Sequence, residues 1–96
     1  MATFVVRYTY SDNAAGRDER RPEHIDFLRA QYEAKRLLMS GPIVSDMNPG
    51  AMLIFAGESA DDVATLLADE PFMRNGLVAA RSIDEWKIFF GGIKDE

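Results

Sequence analysis

Apolar and polar residues alternate from the start of the chain, with Phe4, Val6, Tyr8 and Tyr10 on one side and Val5, Arg7 and Thr9 on the other, which predicts a strand over residues 3–10. The alternation stops at Ser11. Residues 11–21 are small or charged, include Gly16 and carry no apolar period, so a long loop is expected there. Over residues 22–34, Ile25, Phe27, Leu28, Ala30 and Tyr32 recur at helical spacing, and Pro22 suits a first helical position because its missing N–H would have no intrahelical partner. Lys35 or Arg36 should end this helix. A largely buried strand follows over 37–44, its Gly41-Pro42 marking an edge or a bulge, then a turn cluster over 45–50 and a strand over 51–56 that pairs back as a hairpin. Ser59 with Asp62 three positions on is a capping arrangement for a helix whose apolar face is Val63, Leu66 and Leu67. Glu70-Pro71-Phe72 interrupts that helix, residues 73–76 form a turn, residues 77–89 supply the last strand and 91–96 a tail.

The order is β-α-β-β-α-β, the split βαβ arrangement of ferredoxin-like α+β domains: an antiparallel sheet with two helices on one face. The other face then needs cover, and Trp86, Ile88 and the strand-one aromatics are the residues expected to expose apolar area on it. A C2 homodimer stacking two sheets into a dimeric α+β barrel is the simplest cover.

Composition narrows the function classes. Ninety-six residues, 47% of them hydrophobic and 28% charged, make one folded domain spanning 1–96. No apolar run reaches a bilayer span and no signal-like segment opens the chain, so no membrane partner and a cytoplasmic location are expected. A net charge of -5 argues against nucleic acid, and Arg17, Arg20 and Arg21 are interleaved with Asp18, Glu19 and Glu23. One histidine and no cysteine leave no familiar metal site, and no phosphate-binding glycine loop appears; the expectation is no metal and no cofactor.

The single histidine, His24, is the best functional lead. In the expected first helical turn, unpaired N–H groups and the helix dipole would disfavour added positive charge, leaving a neutral ring able to accept a proton. Glu70 and Asp69 close the second helix, where negative charge is mildly unfavourable, a position that hints at use. Arg7 could meet an anionic ligand, Ser40 and Ser45 could donate a hydrogen bond, and Gly41-Pro42 would sit beside a pocket where the chain leaves regular pairing.

Four segments in this order and spacing resemble the YCII-related (YciI-like) family: Arg21-Pro22-Glu23-His24, residues 36–42 (Arg36 to Pro42), Asn48-Pro49-Gly50, and Glu70-Pro71-Phe72 with Gly76. Residues 83–86 loosely match its last strand. The resemblance implies ferredoxin-like subunits joined as dimeric α+β barrels and a histidine paired with an acidic residue as the catalytic unit, here His24 with Glu70 or Asp69. One related branch of the family is implicated in dehydrochlorination of hydroxylated aromatics. Two departures stand out: Glu70 replaces the usual aspartate before the proline, and Lys35 replaces a usual glycine after the first helix. The expectation is a cofactor-independent lyase or isomerase for a small metabolite, with His24 as acid/base, Glu70 or Asp69 as its partner, and Arg7, Ser40, Gly41 and Pro42 near the ligand. The alternative is a non-catalytic dimeric module that binds a small ligand.

Overall fold

The inward side of the first strand dictates the layering. Phe4, Val6 and Tyr8 are buried while Val5, Arg7 and Thr9 between them are only half-buried, so the helices lie on the aromatic side. The protein, described here by a computed structural model over residues 1–92, runs β1 (Ala2–Tyr10), α1 (Ala14–Glu33), β2 (Leu37–Ile43), β3 (Gly50–Gly57), α2 (Ala60–Leu67), α3 (Pro71–Arg74) and β4 (Val78–Glu85). The strands form one antiparallel sheet in the order β2-β3-β1-β4. The core unites Phe4, Val6 and Tyr8 with Leu37, Leu53 and Phe55 from the sheet and Val63 and Leu67 from α2; Leu28 of α1 packs against it.

The strand-one aromatics are therefore core residues, which corrects the expectation that they lie on the uncovered face. That face instead carries Val5 opposite Ile54 and Arg7 opposite Met52, and alternation adds Trp86, whose backbone N–H donates to the Thr3 carbonyl at 2.8 Å just beyond β4. Met39, Met52 and Trp86 are exposed. The last strand stops at Glu85, short of the expected 89, and Phe89 and Phe90 are almost fully exposed. The expected tail falls outside the described residues from position 93 on.

The second correction concerns α1, which begins at Ala14 and replaces most of the expected loop over 11–21. Asn13 caps it, its side chain accepting from the Gly16 N–H at 2.8 Å. Pairs three residues apart, Asp18–Arg21, Arg20–Glu23 and Asp26–Arg29, support an exposed helix by a few tenths of a kcal/mol each. Pro22 sits inside the helix rather than at its start, where it withholds an N–H from the Asp18 carbonyl. Lys35 after the helix has φ 64, so the turn does adopt the left-handed conformation that a glycine would take without strain.

The hairpin β2-β3 and the Ser59 cap follow the sequence expectation; the Ser59 hydroxyl accepts from the Asp62 N–H at 3.2 Å. Gly50 opens β3 where a Cβ would overlap the Tyr8 carbonyl oxygen, so only glycine permits this approach of β3 to β1.

Candidate active site

Three elements bring their polar groups to one buried point. Glu70 precedes Pro71, and a residue before proline is steered out of the helical region; its φ of -68° and ψ of 130° place it as the cap of α3. The side chain turns back so that Oε2 accepts from the Phe72 N–H at 2.9 Å. From α1, His24 Nδ1 reaches the same oxygen at 2.6 Å; from β1, the Tyr8 hydroxyl donates to Oε1 at 2.8 Å. Glu70 is wholly inaccessible, and the His24 side chain keeps 11% of its surface exposed. A carboxylate oxygen facing Nδ1 requires the proton on that nitrogen, so in the neutral ring Nε2 carries the lone pair.

The ring is fixed in plane as well as in tautomer. It stacks on Phe72 with centroids 3.8 Å apart and planes 5° from parallel, Phe72 meets Tyr10 edge-on at 5.8 Å, and the Arg17 guanidinium covers Tyr10 at 4.6 Å. Arg17 also donates to the Ser11 carbonyl at 2.6 Å, tying the start of α1 to the end of β1.

His24 lies nearly three turns into α1, so the helix N-terminus does not act on it as a first-turn position would. Its partner is Glu70. Asp69, just past the end of α2, is exposed and borders a different groove whose lining also includes Arg36 and Asp62. Arg7 is on the open sheet face, donating to the Tyr8 carbonyl at 2.7 Å and the Asn48 carbonyl at 3.0 Å, where it braces the β2-β3 turn. Ser45 accepts from the Asn48 N–H in the same turn. Ser40 borders a groove of about 520 Å³ between α1 and β2, with Ile25, Leu28, Tyr32 and Met39. Gly41 and Pro42 continue that edge strand beyond the groove's lining; a Cβ at Gly41 would meet open space. The structure thus brings together His24 and Glu70 and leaves Arg7, Gly41, Pro42 and Asp69 apart from them.

Sequence reasoning missed Tyr8 and Phe72. The available signal for Tyr8 was a hydroxyl on the apolar side of a strand, which once buried needs a partner. Burial, then the Glu70 charge, then its hydrogen bond push the Tyr8 phenol far above its ordinary range, so it stays protonated in the fold. An unfolded chain releases that proton near pH 10, so the stabilisation is intact below pH 10 and declines above it, by up to about 1.4 kcal/mol per pH unit. Thermal midpoints measured from pH 9 to 11.5 should fall more steeply for the wild type than for Tyr8→Phe; equal slopes would contradict this assignment.

A family model, YCII-related domain, matches residues 1–87. The chain belongs to the YCII-related family. Among solved structures it is similar to 5-chloro-2-hydroxyhydroquinone dehydrochlorinase (TftG) from Burkholderia phenoliruptrix AC1100, in complex with 2,5-dihydroxybenzoquinone, with TM-score 0.76 and 24% identity over 88% of this chain and 93% of that one. At that identity the likeness establishes the shared fold. No curated protein matches it. Among the described residues no helix is long and apolar enough to cross a membrane, and no cluster of His, Cys, Asp and Glu could hold a metal ion.

Proposed function

We propose that this YCII-related chain is a small cofactor-independent enzyme of lyase or isomerase type, acting on a small hydroxylated, quinone-like metabolite. The observation that carries this reading is the 2.6 Å contact between His24 Nδ1 and a carboxylate withdrawn from solvent. Glu70 holds the Nδ1–H tautomer and stabilises the imidazolium, so Nε2 is the general base. An acidic O–H or C–H gives its proton to Nε2; in a lyase reaction the electron pair left behind forms the new double bond as the leaving group departs with its bonding pair, and in an isomerase reaction the imidazolium returns the proton to the far end of the shifted double bond. The dehydrochlorinase with the same fold, solved with 2,5-dihydroxybenzoquinone, supports the choice of substrate class. The test is a thermal-shift screen of hydroxylated benzoquinones and hydroquinones, followed by turnover assays including chloride release from chlorinated members. A binding hit should raise the melting temperature with the logarithm of ligand concentration. Ligands that bind without any turnover would favour the non-catalytic binding module.

The working form is proposed to be a cytoplasmic homodimer closed over the open sheet face as an α+β barrel. Met39, Met52 and Trp86 lie exposed on that face beside Ile54, an apolar surface of the kind a second copy covers. Light scattering should give twice the 10.8 kDa chain mass. Met52→Asp, on the open face, should return it to the monomer mass with the fold retained, because an unpaired carboxylate in a closed interface costs several kcal/mol. A wild-type monomer at high micromolar concentration would overturn the dimer.

A further inference from the structure

We infer that Tyr8 is a positioning residue of the same site, the group that keeps Glu70 aimed at His24. The inference deepens the proposed function and rests on it for the catalytic consequence, although its geometric part stands alone.

A carboxylate on a rotatable side chain can hold an imidazole in one tautomer only if its own orientation is fixed. Around Glu70 the division of labour is complete: Oε2 takes the Phe72 N–H at 2.9 Å and His24 Nδ1 at 2.6 Å, and Oε1 takes the Tyr8 hydroxyl at 2.8 Å. The first two contacts converge on one oxygen, so by themselves they leave the carboxyl plane free to swing about that oxygen. The Tyr8 contact pins the second oxygen and removes this freedom. Tyr8 can serve as the pin because it is itself immobile: fully buried at the centre of β1, paired on both sides with Ala51 and Arg81. Burial and the neighbouring Glu70 raise its phenol well above the ordinary tyrosine range, which favours the protonated, donating form.

Arg81 of β4 lies near Tyr8, and Arg17 and Arg21 of α1 lie near Tyr10; Arg17 is spent on the Tyr10 ring and the Ser11 carbonyl, and Arg21 on Asp18. Among the described residues, the hydrogen bonds to the carboxylate come from Tyr8, His24 and the Phe72 N–H at the start of α3. Removing the hydroxyl alone would free Oε1, let the carboxyl rotate, and weaken the hold on Nδ1–H.

Because His24 is the chain's one histidine, ¹⁵N NMR of the imidazole reports this without ambiguity. In the wild type the neutral ring should show a single Nδ1–H tautomer with a slowly exchanging proton. In Tyr8→Phe, which keeps the buried ring, the Nε2–H tautomer should become populated and the Nδ1–H should exchange roughly tenfold faster, the size expected from losing about one hydrogen bond's worth of support. Once turnover is found, the same variant should lower kcat and leave KM within about twofold, since the hydroxyl is fully buried and donates to Glu70. An unchanged tautomer signature and exchange rate would overturn the assignment. A changed signature with no turnover in either protein would leave Tyr8 as the pin and overturn the enzyme reading instead. Should Tyr8→Phe fail to fold, hydroxyl-proton exchange in the wild type decides: protection of the Tyr8 hydroxyl relative to exposed Tyr32 supports it, and equal exchange overturns it.

Discussion

His24→Asn should give a folded protein whose turnover falls by roughly 10²–10⁴-fold, the usual contribution of a positioned acid/base group. The loss follows from geometry: an asparagine side chain can present a donor to Glu70, but its amide has no basic lone pair in the place of Nε2. The same change has a structural side, because His24 is buried and its ring lies on Phe72 at 3.8 Å. Losing that stack and shortening the reach to Oε2 should cost about 1–3 kcal/mol, so the melting temperature falls although the fold persists. Circular dichroism establishes that the variant is folded, and turnover of the identified substrate gives the rate. Undiminished turnover in the folded variant would remove His24 as the base, and with it the elimination chemistry proposed above.

The two halves of the site differed in how visible they were beforehand. Glu70-Pro71-Phe72 announces itself, since proline both ends α2 and sets the extended backbone that turns a capping carboxylate inward. Whether Asp69 or Glu70 faces inward depends on a rotation of one residue about the helix end, which the order of the two acids does not reveal. On α1 the difficulty was physical. His24 is the only buried residue of that helix, so its first half has no apolar stripe to detect; it is stabilised by Asn13, by ion pairs along the helix and by residues such as Ala, Arg and Glu that favour helix without packing. Periodicity therefore reads such a stretch as loop.

Strand β1 shows a different boundary. Alternation grouped Phe4, Val6 and Tyr8 correctly, but choosing which group meets the helices required weighing the two faces, and the face with the larger apolar side chains is the one the helices cover. That choice decides the role of Tyr8. Facing the helices, its hydroxyl lies beneath the junction of α1 and α3 and joins the histidine and carboxylate; on the open face it would have been an interface residue. Side-chain chemistry here follows from sheet polarity before it follows from any motif.

Glu70→Ala should be the most destabilising single change at the site, lowering the unfolding free energy by about 3–5 kcal/mol, because it strips a partner from three buried donors at once: the Tyr8 hydroxyl, His24 Nδ1–H and the Phe72 N–H. The cap of α3 is lost in the same step. Glu70→Gln should cost less, since its single carbonyl oxygen can still receive the Phe72 N–H and His24, with the amide nitrogen left against a phenol that must turn its own proton elsewhere. Asp69→Ala, one residue away but exposed, should stay within about 0.5 kcal/mol of the wild type. The comparison separates a buried network from a charged helix end. It also separates lost hydrogen bonding from lost charge, because replacing all three partners together with apolar groups, as in Tyr8→Phe/His24→Leu/Glu70→Leu, removes the unsatisfied donors of Tyr8 and His24 and should recover much of the stability that Glu70→Ala loses. Urea unfolding midpoints measure each value. A Glu70→Ala protein within 1 kcal/mol of the wild type would mean that the three donors find water or other partners, and that the carboxylate does not organise this site.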